Sequence, residues 1–350
     1  MAWQFPASLS TNVTAVDLGT TDDAYIGTNV SIATTSTTTI RGTGSSHEVD
    51  IDGSVAGSYA VYLGSDGSVQ HDQIVNVSET GRIFALSYGI VAFGYHSEVI
   101  NDGSIKSKLI GVYFDGTPAD LTVVSTFSNS GKVDAGPGYG VYSSGTQKLH
   151  TDNTGTIKGG TLSYYGTGSG VDEIVNSGKM YGVASLGAGD DFYDGRTGFI
   201  DSDVQGGTGA DRLYGGAENN LFHGGGDNDR LYGAKGADKL YGEAGADTFI
   251  FLATGDSTVS SSGRDTIYDF VHGDGDKIDV HSIDANTTLS GNQTFKYIAN
   301  AAFTHHAGEL QEYTSGSGHF IRGDVNGDGT ADFAIQIDTN NVFVKGDFIL

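Results

Sequence analysis

The sequence predicts an all-β fold, a β-solenoid in which a right-handed parallel β-helix continues into a parallel β-roll and ends in a small β-rich C-terminal cap. Three patterns support this prediction. The second half carries a strict nine-residue repeat, the first half carries a looser repeat of 22 to 28 residues, and a block of alternating acidic and aliphatic residues follows the nonapeptides. The expected boundaries are residues 1–186 for the β-helix, 187–255 for the roll and 256–350 for the cap.

The looser repeat has the form Asn-x-Gly-x-aliphatic. Its copies with an asparagine begin at Asn101, Asn129, Asn153 and Asn176, and two earlier copies, at Gly53 and Gly81, lack it. A period of this size without a helical pattern is typical of a β-solenoid, and parallel crossover connections prefer the right hand. We expect the asparagines to stack as an internal ladder at one corner and to hydrogen-bond turn amides. A catalytic role for them is the alternative.

Two other segments extend this pattern. Residues 1–46 alternate apolar residues with threonines, which predicts opening coils with their hydroxyls outward rather than a disordered tail. Residues 186–193 resemble a degenerate nonapeptide. We therefore expect the β-helix to pass into the roll without a linker.

The nonapeptides occupy residues 206–250 as five consecutive units of the form Gly-Gly-x-Gly-x-Asp-x-apolar-x. The first six positions predict a turn, where glycine adopts backbone angles that other residues resist. The last three predict a short strand with one large side chain in the core. These core residues are Leu213, Phe222, Leu231, Leu240 and Phe249. A flexible Gly/Asp-rich linker, the alternative, does not account for an apolar position kept through five units.

The sixth position of each unit predicts a metal site. Two units complete one coil, so Asp211, Asp229 and Asp247 are expected along one edge and Asn220 and Asp238 along the other. Carboxylate oxygens together with turn carbonyls suit Ca²⁺, which takes six or more oxygen ligands. Asn220 is the weakest member, because an amide oxygen is neutral. The turn glycines expected to contribute to the sites are Gly206, Gly207, Gly209, Gly215, Gly224, Gly226, Gly233, Gly236, Gly242 and Gly245.

Composition and charge restrict the possible functions. The chain has 350 residues, 43 Asp and Glu against 18 Lys and Arg, a net charge of −25 and no cysteine. This acidity argues against nucleic acid and anionic membranes as partners and favours a cation-rich extracellular setting. No stretch approaches the length of a membrane span. The N-terminus lacks the basic and apolar regions of a cleavable signal peptide, so secretion would be signalled elsewhere.

The region after the nonapeptides carries a family resemblance. Residues 265–284 form the acidic–aliphatic block, and residues 323–333 and the ending at 344–350 follow the same style. Together with the nonapeptides, these segments resemble the C-terminal module of serralysin-type proteins and other repeats-in-toxin exoproteins, over about residues 187–350. In that family this region is an uncleaved signal for one-step export by a type I secretion system. The resemblance implies several Ca²⁺ ions, and we add Asp191, Asp265 and Asp269 to the candidate ligands.

A second acidic motif lies in the cap. Asp324, Asn326, Asp328 and Asp332 match the first nine positions of an EF-hand loop, but Ile335 replaces the glutamate that binds calcium with two oxygens. A calcium site and a turn held by its own Asx side chains are both consistent with this pattern.

Enzymatic motifs are weak. The His47–Glu48 pair is not followed by a second histidine, so the zinc protease of serralysins is not expected. The acid, base or substrate-binding groups of a polysaccharide lyase or epimerase could come from His96, Lys106, Lys108, Tyr113 and Asp115. Basic residues are few and scattered, however, with eight before Gly187. His305 and His306 are expected to be exposed in a loop rather than to bind metal.

The sequence therefore favours a secreted, calcium-stabilised structural or adhesive protein of the bacterial cell surface or extracellular matrix. Unpaired solenoid edges would let it self-assemble into a fibre or lattice. The alternatives are a polysaccharide-active enzyme on the β-helix face and a sugar-binding adhesin with a Tyr- and Thr-rich face. The expected partners are a second copy of the chain, cell-surface polysaccharide and the type I secretion machinery.

Overall fold

The computed structural model describes residues 2–20, 22–64, 71–117, 122–316, 318–338 and 342–350. These residues form β-strands joined by tight turns, with two single-turn 3₁₀ helices and no α-helix among them. The chain divides into two compact units. The N-terminal unit contains Met1–Phe192 and Gly198–Ser202, and the C-terminal unit contains Tyr193–Thr197 and Asp203–Leu350.

The strands are short and follow one another closely. Those up to residue 202 are β1 (Trp3–Gln4), β2 (Leu9–Thr11), β3 (Val16–Leu18), β4 (Asp23–Ile26), β5 (Ser31–Thr34), β6 (Thr38–Gly42), β7 (Glu48–Ile51), β8 (Ser54–Leu63), β9 (Ile74–Val77), β10 (Arg82–Phe93), β11 (Glu98–Asn101), β12 (Ser104–Lys106), β13 (Ile110–Gly116), β14 (Val124–Asn129), β15 (Lys132–Asp134), β16 (Tyr139–Gly145), β17 (Lys148–Asn153), β18 (Thr156–Gly166), β19 (Asp172–Asn176), β20 (Lys179–Ala188), β21 (Phe192–Asp194) and β22 (Phe199–Ile200). Those that follow are β23 (Val204–Thr208), β24 (Arg212–Tyr214), β25 (Leu221–Gly226), β26 (Arg230–Tyr232), β27 (Lys239–Ala244), β28 (Thr248–Ile250), β29 (Thr266–Ile267), β30 (Lys277–Asp279), β31 (Lys296–Tyr297), β32 (Glu309–Ser315), β33 (Gly318–Asp324), β34 (Phe333–Ile337) and β35 (Phe348–Ile349). The 3₁₀ helices are Ser261–Gly263 and Lys345–Asp347. In the described ranges, no helix has the length and apolarity that a membrane span requires.

In the N-terminal unit, the strands of successive coils pair in parallel and form three columns. The first column runs β1, β4, β7, β9, β11, β14, β17, β19. The middle column runs β2, β5, β8, β10, β12, β15, β18, β20. The third runs β3, β6, β8, β10, β13, β16, β18, β20, because the long strands contribute to two columns. This stacking confirms the predicted parallel β-helix.

The core of the N-terminal unit is built from aliphatic residues in register. Ile83, Ile105 and Val133 pair across successive coils of the middle column and are fully buried. Their neighbours along each strand point to solvent, since side chains alternate across a strand. Burying one such side chain contributes roughly 1.5–3 kcal/mol.

The predicted asparagine ladder is confirmed. The Nδ2 group of Asn101 donates to Oδ1 of Asn129, Asn129 donates to Asn153, and Asn153 donates to Asn176, each over 2.7 Å. All four side chains are buried. Their short bonds join one amide to the next rather than to turn amides, so the ladder links consecutive coils directly.

The threonine-rich opening segment forms coils, as predicted, but its hydroxyls do not all face outward. Thr34 and Thr39 are buried, and their Oγ1 atoms lie 2.9 Å apart. Thr39 also donates to the carbonyl of Ala56 over 2.7 Å. A Cβ at Gly57 would lie 2.2 Å from the Thr39 hydroxyl. A glycine in the next coil therefore makes room for polar groups that the alternation pattern placed outside.

Tyrosines line the outer face of the third column. The rings of Tyr113 and Tyr142 stack with centroids 4.8 Å apart, and Tyr142 and Tyr165 stack at 5.4 Å. Tyr59 and Tyr88 stack at 4.9 Å, and the ring of Tyr88 lies 6.3 Å from that of Tyr113. Because these rings cover one another along the stack, their edges rather than their faces meet solvent.

In the C-terminal unit, two columns of parallel strands enclose the apolar residues of the nonapeptides. One column runs β24, β26, β28, β30, β35, and the other runs β23, β25, β27, β29, β34. Leu213, Leu231 and Phe249 pair in register in the first, and Phe222 pairs with Leu240 in the second. All five are fully buried. The β-roll prediction is confirmed.

The cap is β-rich, as predicted. Strands β32, β33 and β34 form an antiparallel sheet, and β34 also pairs in parallel with β29 of the roll. The chain ending belongs to the same structure, because Phe348 pairs with Ile278 and is buried. Residues 344–350 thus stabilise the cap whether or not they signal export.

Candidate metal centre

The sixth-position side chains of the roll lie in two rows. In the first row, the backbone N–H of Asp211 donates to Oδ1 of Asp229 over 2.8 Å, and Asp229 donates in the same way to Asp247 over 2.9 Å. In the second row, the N–H of Asn220 donates to Oδ1 of Asp238 over 2.7 Å. Each coil is thus linked to the next by a side chain that accepts from the backbone.

The second oxygen of each carboxylate faces the first glycine of its own unit. A Cβ at Gly224 would lie 2.3 Å from Oδ2 of Asp229, and a Cβ at Gly242 would lie 2.3 Å from Oδ2 of Asp247. These glycines are required because the carboxylate occupies the space of a side chain. Other turn glycines are required by their backbone angles, with φ of 115° at Gly207.

The Oδ2 atoms of Asp229 and Asp247 are buried and find no hydrogen-bond partner among the described residues. An unpaired buried carboxylate is costly. Burial raises the pKa of Asp229 to about 7 and that of Asp247 to about 6. In the second row, burial and the neighbouring Asp238 raise the pKa of Asp265. Each row therefore presents oxygens that a proton or a cation would stabilise.

Backbone carbonyls lie in the same turns. A Cβ at Gly225 would meet the Gly207 carbonyl oxygen at 2.0 Å, and a Cβ at Gly245 would meet that of Asp227 at 1.8 Å. Within the described ranges, no three acidic or histidine side chains converge as a metal cluster. A cation would therefore be held by carboxylates and carbonyls of neighbouring turns. Hard oxygen ligands of this kind are what Ca²⁺ prefers, so the residues present fit this ion.

A family model of the RTX calcium-binding nonapeptide repeat (4 copies) matches residues 205–240 and 223–257, which contain both carboxylate rows as far as Asp247. Residues 205–257 of the chain therefore consist of RTX calcium-binding repeats. Such repeats imply Ca²⁺ binding and indicate an extracellular protein, and the RTX family is linked to type I secretion. The comparison with curated proteins gave no match.

The RTX rows extend beyond the nonapeptides. The N–H of Asp247 donates to Oδ1 of Asp276 over 2.9 Å, and that of Asp238 donates to Asp265 over 2.9 Å. The sequence reasoning included Asp265 but missed Asp276, which lies outside the nine-residue spacing. Both precede a core isoleucine by two positions, as in Asp276-Lys-Ile278, and this Asp-x-apolar spacing was the available signal.

Asp191 accepts a backbone N–H from the preceding coil in the same way as the row members of the RTX roll, whereas Asp269 is placed differently. Asp191, in the N-terminal unit, accepts the N–H of Asp172 at 2.7 Å, and burial raises its pKa to about 7. Asp269 accepts the N–H groups of Gly242 and Glu243 with its two oxygens, at 3.0 and 2.8 Å. Asp269 therefore stabilises the turn at Gly242 and Glu243 through its own two oxygens.

The EF-hand-like motif forms a loop held by its own side chains. Asp324 is fully buried and accepts the N–H groups of Gly327 and Gly329, at 2.6 and 2.9 Å. Asn326 accepts from the N–H of Asp328 and donates to Asp332 over 2.8 Å. These contacts account for the motif as an Asx-stabilised turn, and calcium ligation there stays a prediction.

The candidate enzymatic residues fall into separate groups. His96 and His71 share the carboxylate of Asp72, at 2.5 and 2.7 Å, beside a cleft of about 610 Å³. Tyr113 and Asp115 both lie on β13, and the Tyr113 hydroxyl donates to Asp115 over 3.2 Å. Lys106 and Lys108 line a different, mainly apolar cleft beside Phe84.

His47, His305 and His306 are the other histidines considered from the sequence. His47 is buried, with Nδ1 at 2.7 Å from the Asp22 carbonyl, and Nε2 accepts the N–H of Gly44. Its role is structural. His305 and His306 are exposed, as expected.

Proposed function

We propose that this protein is a secreted structural or adhesive component of the bacterial cell surface or extracellular matrix, which folds fully on binding calcium and assembles with copies of itself. The buried Oδ2 atoms of Asp229 and Asp247 carry the proposal. Because these oxygens have no donor in the described part of the chain, the roll needs a cation to become stable, and binding is coupled to folding. Calcium is abundant outside the cell, so folding would be completed after export.

Internal ladders support a structural role. The asparagines, the RTX aspartates and the stacked tyrosines each join a coil to the next, which stiffens the stack. The acid and base candidates are dispersed, which gives the lyase alternative little support. Sugar binding by ring stacking is also disfavoured, because Tyr113, Tyr142 and Tyr165 cover one another.

Strand edges support self-assembly. Among the described residues, β1, β2 and β3 each pair with one strand only. Exposed apolar side chains lie beside them, with Phe5 72% and Leu9 47% exposed. Unpaired edges of this kind can pair with another chain.

Electron microscopy with and without calcium tests the proposal. We expect fibres or lattices in millimolar calcium, and their loss in Leu9→Lys, which places a charge on the open edge. Leu289→Lys, at an exposed leucine of the C-terminal unit, is the matched control and should assemble normally. A full-length protein that stays monomeric in calcium and cleaves an acidic polysaccharide would contradict the structural role.

A further inference from the structure

Basic residues form a stripe along the outer face of the middle column. Each of five successive coils contributes one basic residue to this face. These residues alternate between two neighbouring register rows. These residues are Arg82 on β10, Lys106 on β12, Lys132 on β15, Lys158 on β18 and Lys179 on β20. Lys108 follows Lys106 by two positions and is also exposed. We call these six residues the basic stripe.

The basic stripe corrects the expectation that basic residues are scattered. Its coil members are 21 to 26 residues apart in sequence, which is the length of a coil, so folding brings them onto one face. All six are exposed, because the intervening residues, such as Ile105 and Val133, point into the core. Of the eight basic residues before Gly187, only Arg41 and Lys148 lie elsewhere.

Ion pairing distinguishes the basic stripe from Arg41 and Lys148. Arg41 pairs with Asp17 and Lys148 with Glu173, each over 2.9 Å. On the basic stripe, Lys132 alone has a carboxylate within 4.0 Å in the described part of the chain, Asp134 at 3.5 Å. In a protein with 43 acidic residues, a row of six cations of which five have no carboxylate within 4.0 Å among the described residues indicates an external anionic partner.

We propose that the basic stripe binds a linear acidic polysaccharide laid along the coils. Strands repeat about every 4.8 Å, so one positive charge recurs at about that step. A polymer of uronic acids offers one carboxylate per sugar ring at a regular step of the same order. Ser104 and Thr156 lie in the same register as Arg82 and add hydroxyl groups for hydrogen bonds to sugar.

The charge spacing disfavours nucleic acid. Double-stranded DNA carries one charge per about 1.7 Å, much denser than the stripe. Single strands bind through aromatic side chains interleaved with basic ones. Among the described residues of this face, aromatic residues stand only at the ends of the two register rows, Phe84, Tyr181 and Phe199, and are not interleaved with the basic ones. The stripe therefore fits a polymer of lower charge density.

Calorimetry on the calcium-loaded, full-length protein tests the stripe, with polygalacturonate as probe and neutral dextran as reference. Lys106→Gln/Lys158→Gln should weaken polygalacturonate binding about tenfold, as expected for two exposed charge contacts. The control Arg41→Gln/Lys148→Gln removes the same charge away from the stripe and should change affinity less than about twofold. Equal losses in the two double variants, equal binding of dextran, or tighter binding of single-stranded DNA would overturn the proposal.

The choice of ligand rests on the proposed extracellular role, but the two can fail separately. The Leu9→Lys variant should bind polygalacturonate as the unaltered protein does, although it no longer assembles. Binding lost together with assembly would show that the stripe is not itself the binding surface. An unaltered protein that binds polygalacturonate but does not assemble in calcium would instead count against the proposed function alone.

Discussion

The backbone N–H of Asp229 donates to Oδ1 of Asp247, 2.9 Å away in the next coil, while Oδ2 of Asp247 is buried without a partner among the described residues. One side chain thus serves two purposes. Its first oxygen ties two coils together, and its second is left for a cation. In the RTX roll, chain stacking and calcium binding therefore depend on the same residues.

Asp229→Ala should lower calcium affinity more than Asp211→Ala. Asp229 lies between two aspartates of its row, whereas Asp211 is the first of that row in the C-terminal unit. The lost acceptor would also leave the buried N–H of Asp211 without its bond, at about 1–3 kcal/mol. Asp229→Asn is the matched variant, because it keeps an acceptor and removes the charge. Titration calorimetry measures both effects, and equal affinity losses at the two positions would contradict the row arrangement.

Gly224→Ala should weaken calcium binding without a change in charge. The new methyl group would lie 2.3 Å from Oδ2 of Asp229 and displace it. Gly255→Ala is the control, since a Cβ there meets nothing within 4 Å. It should leave affinity unchanged. If both variants bind calcium alike, the close approach of carboxylate and glycine is not needed for binding.

The calcium-free roll should be more stable at acidic than at alkaline pH. Burial raises the pKa of Asp229 to about 7, above the value of about 3.9 expected in the unfolded chain. The protonated form therefore stabilises the fold below about pH 4, and this contribution is lost as the pH rises through about 7. Denaturation of calcium-depleted protein at about pH 5 and pH 8 measures it. Asp229→Asn should show a smaller pH dependence, and greater stability at the higher pH would refute the assignment.

Asn129→Ala should destabilise the N-terminal unit by about 2–5 kcal/mol. The substitution removes two buried hydrogen bonds, from Asn101 and to Asn153, and leaves their amides unsatisfied. Asn76→Ala is a milder control, because Asn76 is half-buried and donates one bond to Asp50. Urea denaturation should place the Asn129 variant well below the control. Similar midpoints for both would mean that the ladder contributes little stability.

The sequence repeats were sufficient to predict the fold. They were not sufficient to predict the side-chain contacts between successive coils. The apolar position of each nonapeptide predicted the core of the RTX roll correctly, because Leu213 and its equivalents recur at the same position of every unit and are buried. Asp276 was missed because the spacing breaks after Asp247, although its side chain continues the row. The alternation pattern predicted that Thr34 and Thr39 would face solvent. It could not show that Gly57 in the next coil leaves room for their hydroxyls in the interior.

The basic stripe shows the same limit. Its residues are separated by a full coil in sequence, so only the register of the middle column brings them side by side. Charge counted along the chain gave a scattered pattern, whereas charge counted along a column gives a row. Partner chemistry on a solenoid therefore depends on register, which sequence spacing alone does not fix.

Hydrogen exchange across a calcium titration tests the central claim most directly, that calcium completes the folding of the RTX roll. After chelation, we expect amides of residues 206–250 to exchange rapidly, while those of the asparagine ladder around Asn129 and Asn153 stay protected. Adding calcium should restore protection in the roll at the same concentrations that calorimetry gives for binding. Protection of the roll that is the same with and without calcium would contradict the account.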